Sequence, residues 1–300
     1  MRITDTMLNN NFIANLNFST ERLYDSENKV LTGKRVNKPS DDPVDALSSM
    51  RIRSRISEIN QYQRNIGSAQ NILKNSESYV NQLTEIFTRM KTLTVQGASD
   101  SYSESDKVSI AAEIDQLIEQ VVNLANSRSE SIYIFAGTHN DVAPYQVERN
   151  ADGEIVNVTT NGTAGDITGL IGEEIKIKIN VNGEELFEKG ENLFNIAISV
   201  RDNLRANNSE GLRENMNEID DAAEKIYTIQ STIGSRVNRI DAASSRAEND
   251  IISFTEFLSD AEDIDSAEAI MNYQRDLTTL QATLQAGARL IQPRLADFLS

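Results

Sequence analysis

The sequence predicts a mainly α protein, an elongated antiparallel long-helix bundle with a terminal two-helix coiled coil and a small β insert domain. Ile52, Ile59, Ile66, Leu73, Val80 and Phe87 follow one another at seven-residue steps, with Tyr62, Ala69, Leu83 and Met90 three residues after Ile59, Ile66, Val80 and Phe87. Leu212, Ile219, Ile226, Ile233, Ile240, Ala247, Phe254 and Ala261 repeat the spacing in the second half. Sustained seven-residue apolar spacing keeps one stripe against a partner helix along its whole length, so each series predicts a rod. A helix of ~50 residues is roughly 75 Å long, and its core is a thin seam. Between the halves, from Tyr133 to about Gly190, the apolar period drops from seven to two.

Residues 1–32 are rich in Asn, with Leu16, Leu23 and Val30 on one weak stripe and Ile3, Met7 and Ile13 before it. Such a helix is marginal alone and is expected to be disordered until a partner covers it. Asn37-Lys38-Pro39-Ser40-Asp41-Asp42-Pro43 breaks the chain, because the residue before a proline is pushed out of the helical region. Asp42 then reads as an N-cap, Pro43 as the first helical residue and Asp45 as a favourable charge in the first turn. The first rod runs from there to about Gln96-Gly97, and a third helix carries Ile110, Ile114, Leu117, Val121 and Leu124 and ends near Ala125-Asn126.

Ile175, Ile177, Ile179 and Val181 alternate with Lys176, Lys178, Asn180 and Asn182, a half-buried strand for which Asn182-Gly183 is a hairpin-type turn. Asp152-Gly153, between Tyr145–Val147 and Ile155–Val158, suggests a second hairpin, and the glycines from Gly162 to Gly172 read as turns. Helix resumes with Leu193, Ala197, Val200 and Leu204, and the second rod starts near Leu212. The acidic run Asp260–Asp265 interrupts it, and Asp265 with Glu268 forms a capping-box-like start for the last helix. That helix bears Ile270, Leu277, Leu284, Ile291 and Phe298 at sevens, with Tyr273, Leu280 and Leu295 between them. Its strong stripe is the natural cover for the weak N-terminal one. The expected domains are 1–45 with 262–300 (terminal coiled coil, disordered in the monomer), 46–132 with 191–261 (rod) and 133–190 (outer β insert).

The formal net charge is −17. Residues 1–60 carry nine Lys or Arg against eight Asp or Glu and residues 267–300 three against three, which leaves −18 on residues 61–266. Neutral ends can crowd against copies of themselves, whereas the acidic middle repels its neighbours unless it faces solvent. Phosphate binding needs clustered Lys and Arg, so neither nucleic acid nor an anionic membrane is an expected partner. There is no Cys, no Trp and one His, His139, which excludes disulfides, thiolate nucleophiles and Cys-ligated metals. No apolar run approaches a membrane span, and Met1 to Thr20 lacks a signal-peptide core. The expected location is therefore the cytoplasm, or outside the cell by a route without a cleaved signal.

Asp41 and Asp42 beside prolines at a helix start are capping residues before they are a metal pair. The run Asp260–Asp265 lacks the glycine and alternating oxygen ligands of a calcium loop, His139 has no second His or Cys to work with, and the glycines from Gly162 do not open a helix as a phosphate loop would. No catalytic residue, cofactor or metal is expected, and the heptads are packing seams.

Four stretches carry a resemblance: Leu31–Ala46, which reads Leu-Thr-Gly-Lys-Arg-Val-Asn-Lys-Pro-Ser-Asp-Asp-Pro-Val-Asp-Ala; Tyr133-Ile-Phe-Ala-Gly-Thr138 with Pro144-Tyr145; Ile233-Gly-Ser-Arg-Val-Asn-Arg239; and the ending Leu280–Leu299. Together they resemble the hook-associated relatives of flagellin in the bacterial flagellum. Arg294-Leu-Ala departs from the Ser-Leu pair frequent there. The resemblance implies a non-enzymatic structural protein, exported unfolded through the flagellar type III apparatus and placed between a neighbouring hook-associated protein and the flagellin filament. It also implies a homo-oligomer ring and a cytoplasmic export chaperone, and a filament subunit or a cytoplasmic coiled-coil scaffold stays open as an alternative. Thr32, Gly33, Lys34, Arg35, Pro39, Ser40, Asp41, Asp42 and Pro43 are the expected assembly linker. In it the two prolines set the angle to the rods, and Lys34, Arg35 and Lys38 reach acidic groups of adjacent subunits. Leu277, Leu280, Leu284, Ile291, Leu295 and Phe298 are the expected chaperone and assembly face.

Overall fold

The computed structural model describes residues 5–99, 101–129, 132–139 and 141–291, and the chain forms two compact units, Met1–Glu58 with Asn249–Ser300 and Ile59–Glu248. Six α-helices lie in chain order: α1 Asp5–Thr32, α2 Pro43–Ala98, α3 Glu104–Ala125, α4 Leu193–Arg205, α5 Ser209–Glu262 and α6 Ser266–Ile291. The protein is mainly α, with long helices and small sheets. The expected boundary at 45/46 falls inside α2 and that at 261/262 at the end of α5, while residues 133–190 share a unit with the helices that flank them.

In the larger unit α2 and α5 run antiparallel. Gln70 donates to Asp241 at 2.6 Å, Gln230 donates to Asn81 at 2.6 Å, and Lys91 pairs with Asp220, so the α5 partner steps back as α2 steps forward. The two heptad series face this seam: Ile59, Ile66, Leu73, Val80 and Phe87 are buried, as are Leu212, Ile219, Ile226, Ile233, Ile240 and Ala247. Ser103 caps α3 in a reciprocal box with Asp106, and Asn192 caps α4. Arg201, with its side chain only 3% exposed, joins α4 to α3 by bonding Asp115 at 3.1 Å and to the insert by donating to the Ile155 carbonyl at 2.6 Å.

The insert is built from antiparallel pairs: β1 Arg128–Ser129 with β2 Ile132–Tyr133, β3 Tyr145–Arg149 with β4 Ile155–Thr160, and β5 Thr168–Gly172 with β6 Ile175–Lys178. Asp152-Gly153 lies in the turn between β3 and β4, as the alternation predicts. Asn182-Gly183 is not a hairpin turn. Gly183 has helical backbone angles and leads into a short π-helical turn, Glu184–Glu188. A Cβ there would stand 2.5 Å from the Phe135 carbonyl and 2.6 Å from the Tyr145 hydroxyl, so close packing and not reversal requires the glycine. Gly169 and Gly172 lie within β5 and not in turns, their missing side chains leaving room for Ile179 and Ile175. Phe135, Tyr145, Phe187 and Phe194 stack into one buried cluster beneath the insert, with ring centroids 5.0–5.4 Å apart, a geometry aromatic quadrupoles favour.

In the smaller unit α1 pairs antiparallel with α6. Arg22 bonds Asp276 at 2.5 Å, and nearer the N-terminus Phe12 lies against Gly287, where a Cβ would stand 2.0 Å from the ring. Asp265 caps α6 by accepting from Ala267 N at 2.8 Å. No helix of the described residues is long and apolar enough to cross a membrane.

Candidate assembly site at the two connectors

The smaller unit brings together the two connections of the terminal helices, residues 33–42 after α1 and 263–265 before α6. α1 stops because Gly33 takes φ +68° and donates its N–H to the Lys29 carbonyl at 3.0 Å, the left-handed ending that satisfies a helix's last carbonyls. Beyond it the connectors zip together. Ile264 N donates to Gly33 O at 3.1 Å, Arg35 N donates to Glu262 O at 2.6 Å, and Lys34 faces Asp263 in an antiparallel bridge.

At the centre is Glu262, whose side chain is 6% exposed. It accepts from Arg53 Nε at 2.8 Å and Nη2 at 2.5 Å and from Lys34 Nζ at 2.7 Å. These bonds, Arg53's foremost, outweigh burial and hold the carboxyl at about 2, below the usual carboxylate range. Arg35 fans out to Asp45, to Asp42 at 3.5 Å and to the Ala261 carbonyl at 3.0 Å. Three elements are thereby tied to one strand of chain.

The turn before α2 is made by the adjacent carboxylates. Asp41 Oδ2 accepts from Asn37 N at 3.0 Å and Lys38 N at 2.9 Å, around a turn whose middle residues are Pro39 and Ser40. Asp42 Oδ1 accepts from Val44 N at 3.0 Å and Asp45 N at 3.1 Å, capping α2 just before Pro43. Backbone N–H groups, Lys38's for Asp41 and Asp45's for Asp42, lower both carboxyls. Both are used by the backbone, and no group of acids or His among the described residues is placed to hold a metal.

Where the sequence pointed Lys34 and Arg35 at neighbouring subunits, the fold turns them onto Glu262, Asp42 and Asp45 of their own chain. The nearest carboxylates are internal, and a cation beside them gains more by staying. Lys38 stays exposed, 6.0 Å from the Tyr24 ring. Thr32 closes α1 by donating to Asn28 O at 2.8 Å. Glu262 and Arg53 were missed. The acidic run from Asp260 reads as helix-end charge, and only the fold brings a residue of α2 to it. On α6, Leu277 and Leu280 are half-buried and Leu284 is 49% exposed, while the Ile291 side chain, Leu295 and Phe298 lie outside the described residues. An open groove of about 230 Å³ beside the connectors is lined by Val36, Pro39, Ala46, Ser49 and Met50, among others.

Pro39→Ala with Pro43→Ala removes only backbone preorganisation, about 0.4–1 kcal/mol at each position, and every polar contact above survives it. The double variant is expected to keep the connector contacts, checked by unchanged hydrogen-exchange protection at the Arg35 and Ile264 amides.

The chain matches the bacterial flagellin N-terminal helical region over residues 3–140 and the bacterial flagellin C-terminal helical region over residues 216–299. It is 26% identical over 279 residues to the flagellar hook-associated protein 3 of Escherichia coli K12, covering 85% of this chain and 86% of that one. Among solved structures it is similar to a putative flagellar hook-associated protein from Vibrio parahaemolyticus, with TM-score 0.67 and 20% identity over 74% of this chain and all of that one. It is also similar to the flagellar junction protein FlgL from Legionella pneumophila, with TM-score 0.60 and 17% identity over 72% of this chain and all of that one. Two terminal regions that match in order over most of the chain, and that supply the paired α1 and α6, decide its kinship: this chain belongs to the bacterial flagellin family.

Proposed function

We infer that this chain is a structural protein of the bacterial flagellum, at the junction between hook and filament. The observation that carries the reading is that both chain ends meet in one unit where exposed apolar side chains concentrate. Met7, Ile13, Phe18, Leu31, Val44 and Phe257 all stand more than half exposed there. Apolar surface of that kind marks a place where other proteins dock. The near-full-length likeness to a hook-associated protein 3 supports the junction over the filament itself.

In this role the chain does no chemistry. Copies form a ring between a neighbouring hook-associated protein and flagellin, and filament growth starts from it. The chain reaches that place through the flagellar type III export apparatus, and a cytoplasmic chaperone covers Leu277, Leu280 and Leu284 on α6 beforehand by helix-in-groove contact. α1 and α6 fold onto each other on assembly, since α1 has too weak a stripe to stand alone. The insert faces outward, where its acidic surroundings meet water.

An antibody raised against residues 141–190 and applied to intact flagella is expected to mark one band at the hook-filament boundary. Labelling along the whole filament instead identifies a filament subunit, and labelling confined to the cytoplasm identifies a scaffold.

A further inference from the structure

Two helix faces in the smaller unit have no partner among the described residues, and they are opposite in charge. The first two turns of α2 expose Val44, Leu47 and Met50, at 74%, 51% and 57%. Successive α-helical residues lie 100° apart, so these three fall within one third of the helix circumference, with Arg51 among them. Arg51 is exposed and makes no ion pair among the described residues. The last turns of α5 expose Ile252 and Phe257, at 58% and 56%, with Glu256 and Asp260 exposed between and after them. Neither acid has a partner among the described residues. The inner sides of the same two segments meet through Arg53 and Glu262, so both stripes lie on the solvent side of that contact.

We infer that these faces are the two halves of one contact between copies of the chain: the apolar, basic stripe Val44–Leu47–Met50–Arg51 of one copy receives the apolar, acidic stripe Ile252–Glu256–Phe257–Asp260 of the next. Charge complementarity selects the occupant. Each chain carries both a cationic and an anionic version of the same apolar surface, and neither stripe can pair with its own kind without placing like charges together. A contact between two different patches of identical chains is heterologous, and repeated copies then close into a ring or run on as a helix. The groove at Val36, Pro39, Ala46, Ser49 and Met50 adjoins the basic stripe and offers a pocket for a large side chain such as Phe257. Ser49 lines it, 4% exposed, and its buried hydroxyl has no hydrogen-bond partner among the described residues.

The inference rests on the junction reading for its setting, and the chain's lack of cysteine makes it directly testable. Leu47→Cys with Phe257→Cys is put into the full chain as the cell's sole copy, and isolated flagella are treated with a short bismaleimide. A ladder of covalent oligomers, absent with either single variant, is expected. Monomer alone from flagella that contain the chain overturns the contact, whereas absence of the chain from flagella that have filaments overturns the junction reading instead. A charge exchange provides a second arm. Arg51→Glu alone, and Glu256→Arg with Asp260→Arg, are each expected to cut the number of filaments per cell at least tenfold, and the three changes in one chain are expected to restore it. Failure of that restoration, with the triple variant exported at the normal level, also overturns the contact.

Discussion

Replacing Glu262 by Gln is expected to abolish filament growth while leaving export intact, so that flagellin accumulates in the medium. The carboxylate is buried, bridges Arg53 and Lys34, and carries the backbone rung to Arg35 on the same residue. Gln keeps the shape but loses the charge that both cations bind. Breaking a buried pair by removing one partner costs about 3–5 kcal/mol where the survivor stays buried. Arg53 and Lys34 can turn to water, so about 2–3 kcal/mol is expected here, concentrated at the connectors. The pH dependence gives an independent check. The folded carboxyl titrates at about 2, below its ordinary 4.5, so its contribution is present in full above pH 4.5 and is lost as pH falls toward 2. Protection of the Arg35 and Ile264 amides from hydrogen exchange, relative to the intrinsic rate at each pH, should therefore fall across that window in the wild type. In Glu262→Gln exchange should be fast already at neutral pH. Slow exchange at both amides in the variant would falsify the latch.

Gly287→Val is expected to separate α1 from α6. A Cβ at position 287 would stand 2.0–2.8 Å from three atoms of the Phe12 ring, so the ring must leave its place against α6 or the two helices must part. Overpacking of this kind typically costs 1–3 kcal/mol. The loss is decisive here because α1, with a weak apolar stripe and many Asn residues, depends on tertiary cover more than on its own propensity. The variant should be exported but not incorporated, and cells should swim as if they lacked the protein. Phe12→Ala combined with Gly287→Val opens the space again and should recover part of the assembly. Full assembly by Gly287→Val alone would mean that the terminal pair takes another register in the flagellum.

The long helices were legible in the sequence because a seven-residue apolar period has one physical solution, a seam along a partner rod, and Ile66, Leu73, Ile226 and Ile233 are buried along one. The breaks were legible for an equally local reason. Pro43 and Asp265 act within a few residues of themselves, through backbone angle or cap. The residues of Leu31–Ala46 likewise carried the resemblance to the family. What stayed hidden has no local signature. Gly183 looks like a turn residue in sequence, and only the closeness of Phe135 and Tyr145 shows that it is a packing residue. Lys34 looks like a free cation until Glu262, more than two hundred residues away, is folded against it. The sequence by itself determined the rods, their caps, the acidic middle and the kinship. Tertiary structure alone decided which charges are spent within the chain and which, like Arg51, Glu256 and Asp260, have no partner among the described residues, because pairing of distant side chains depends on where the backbone brings them and not on their spacing along it.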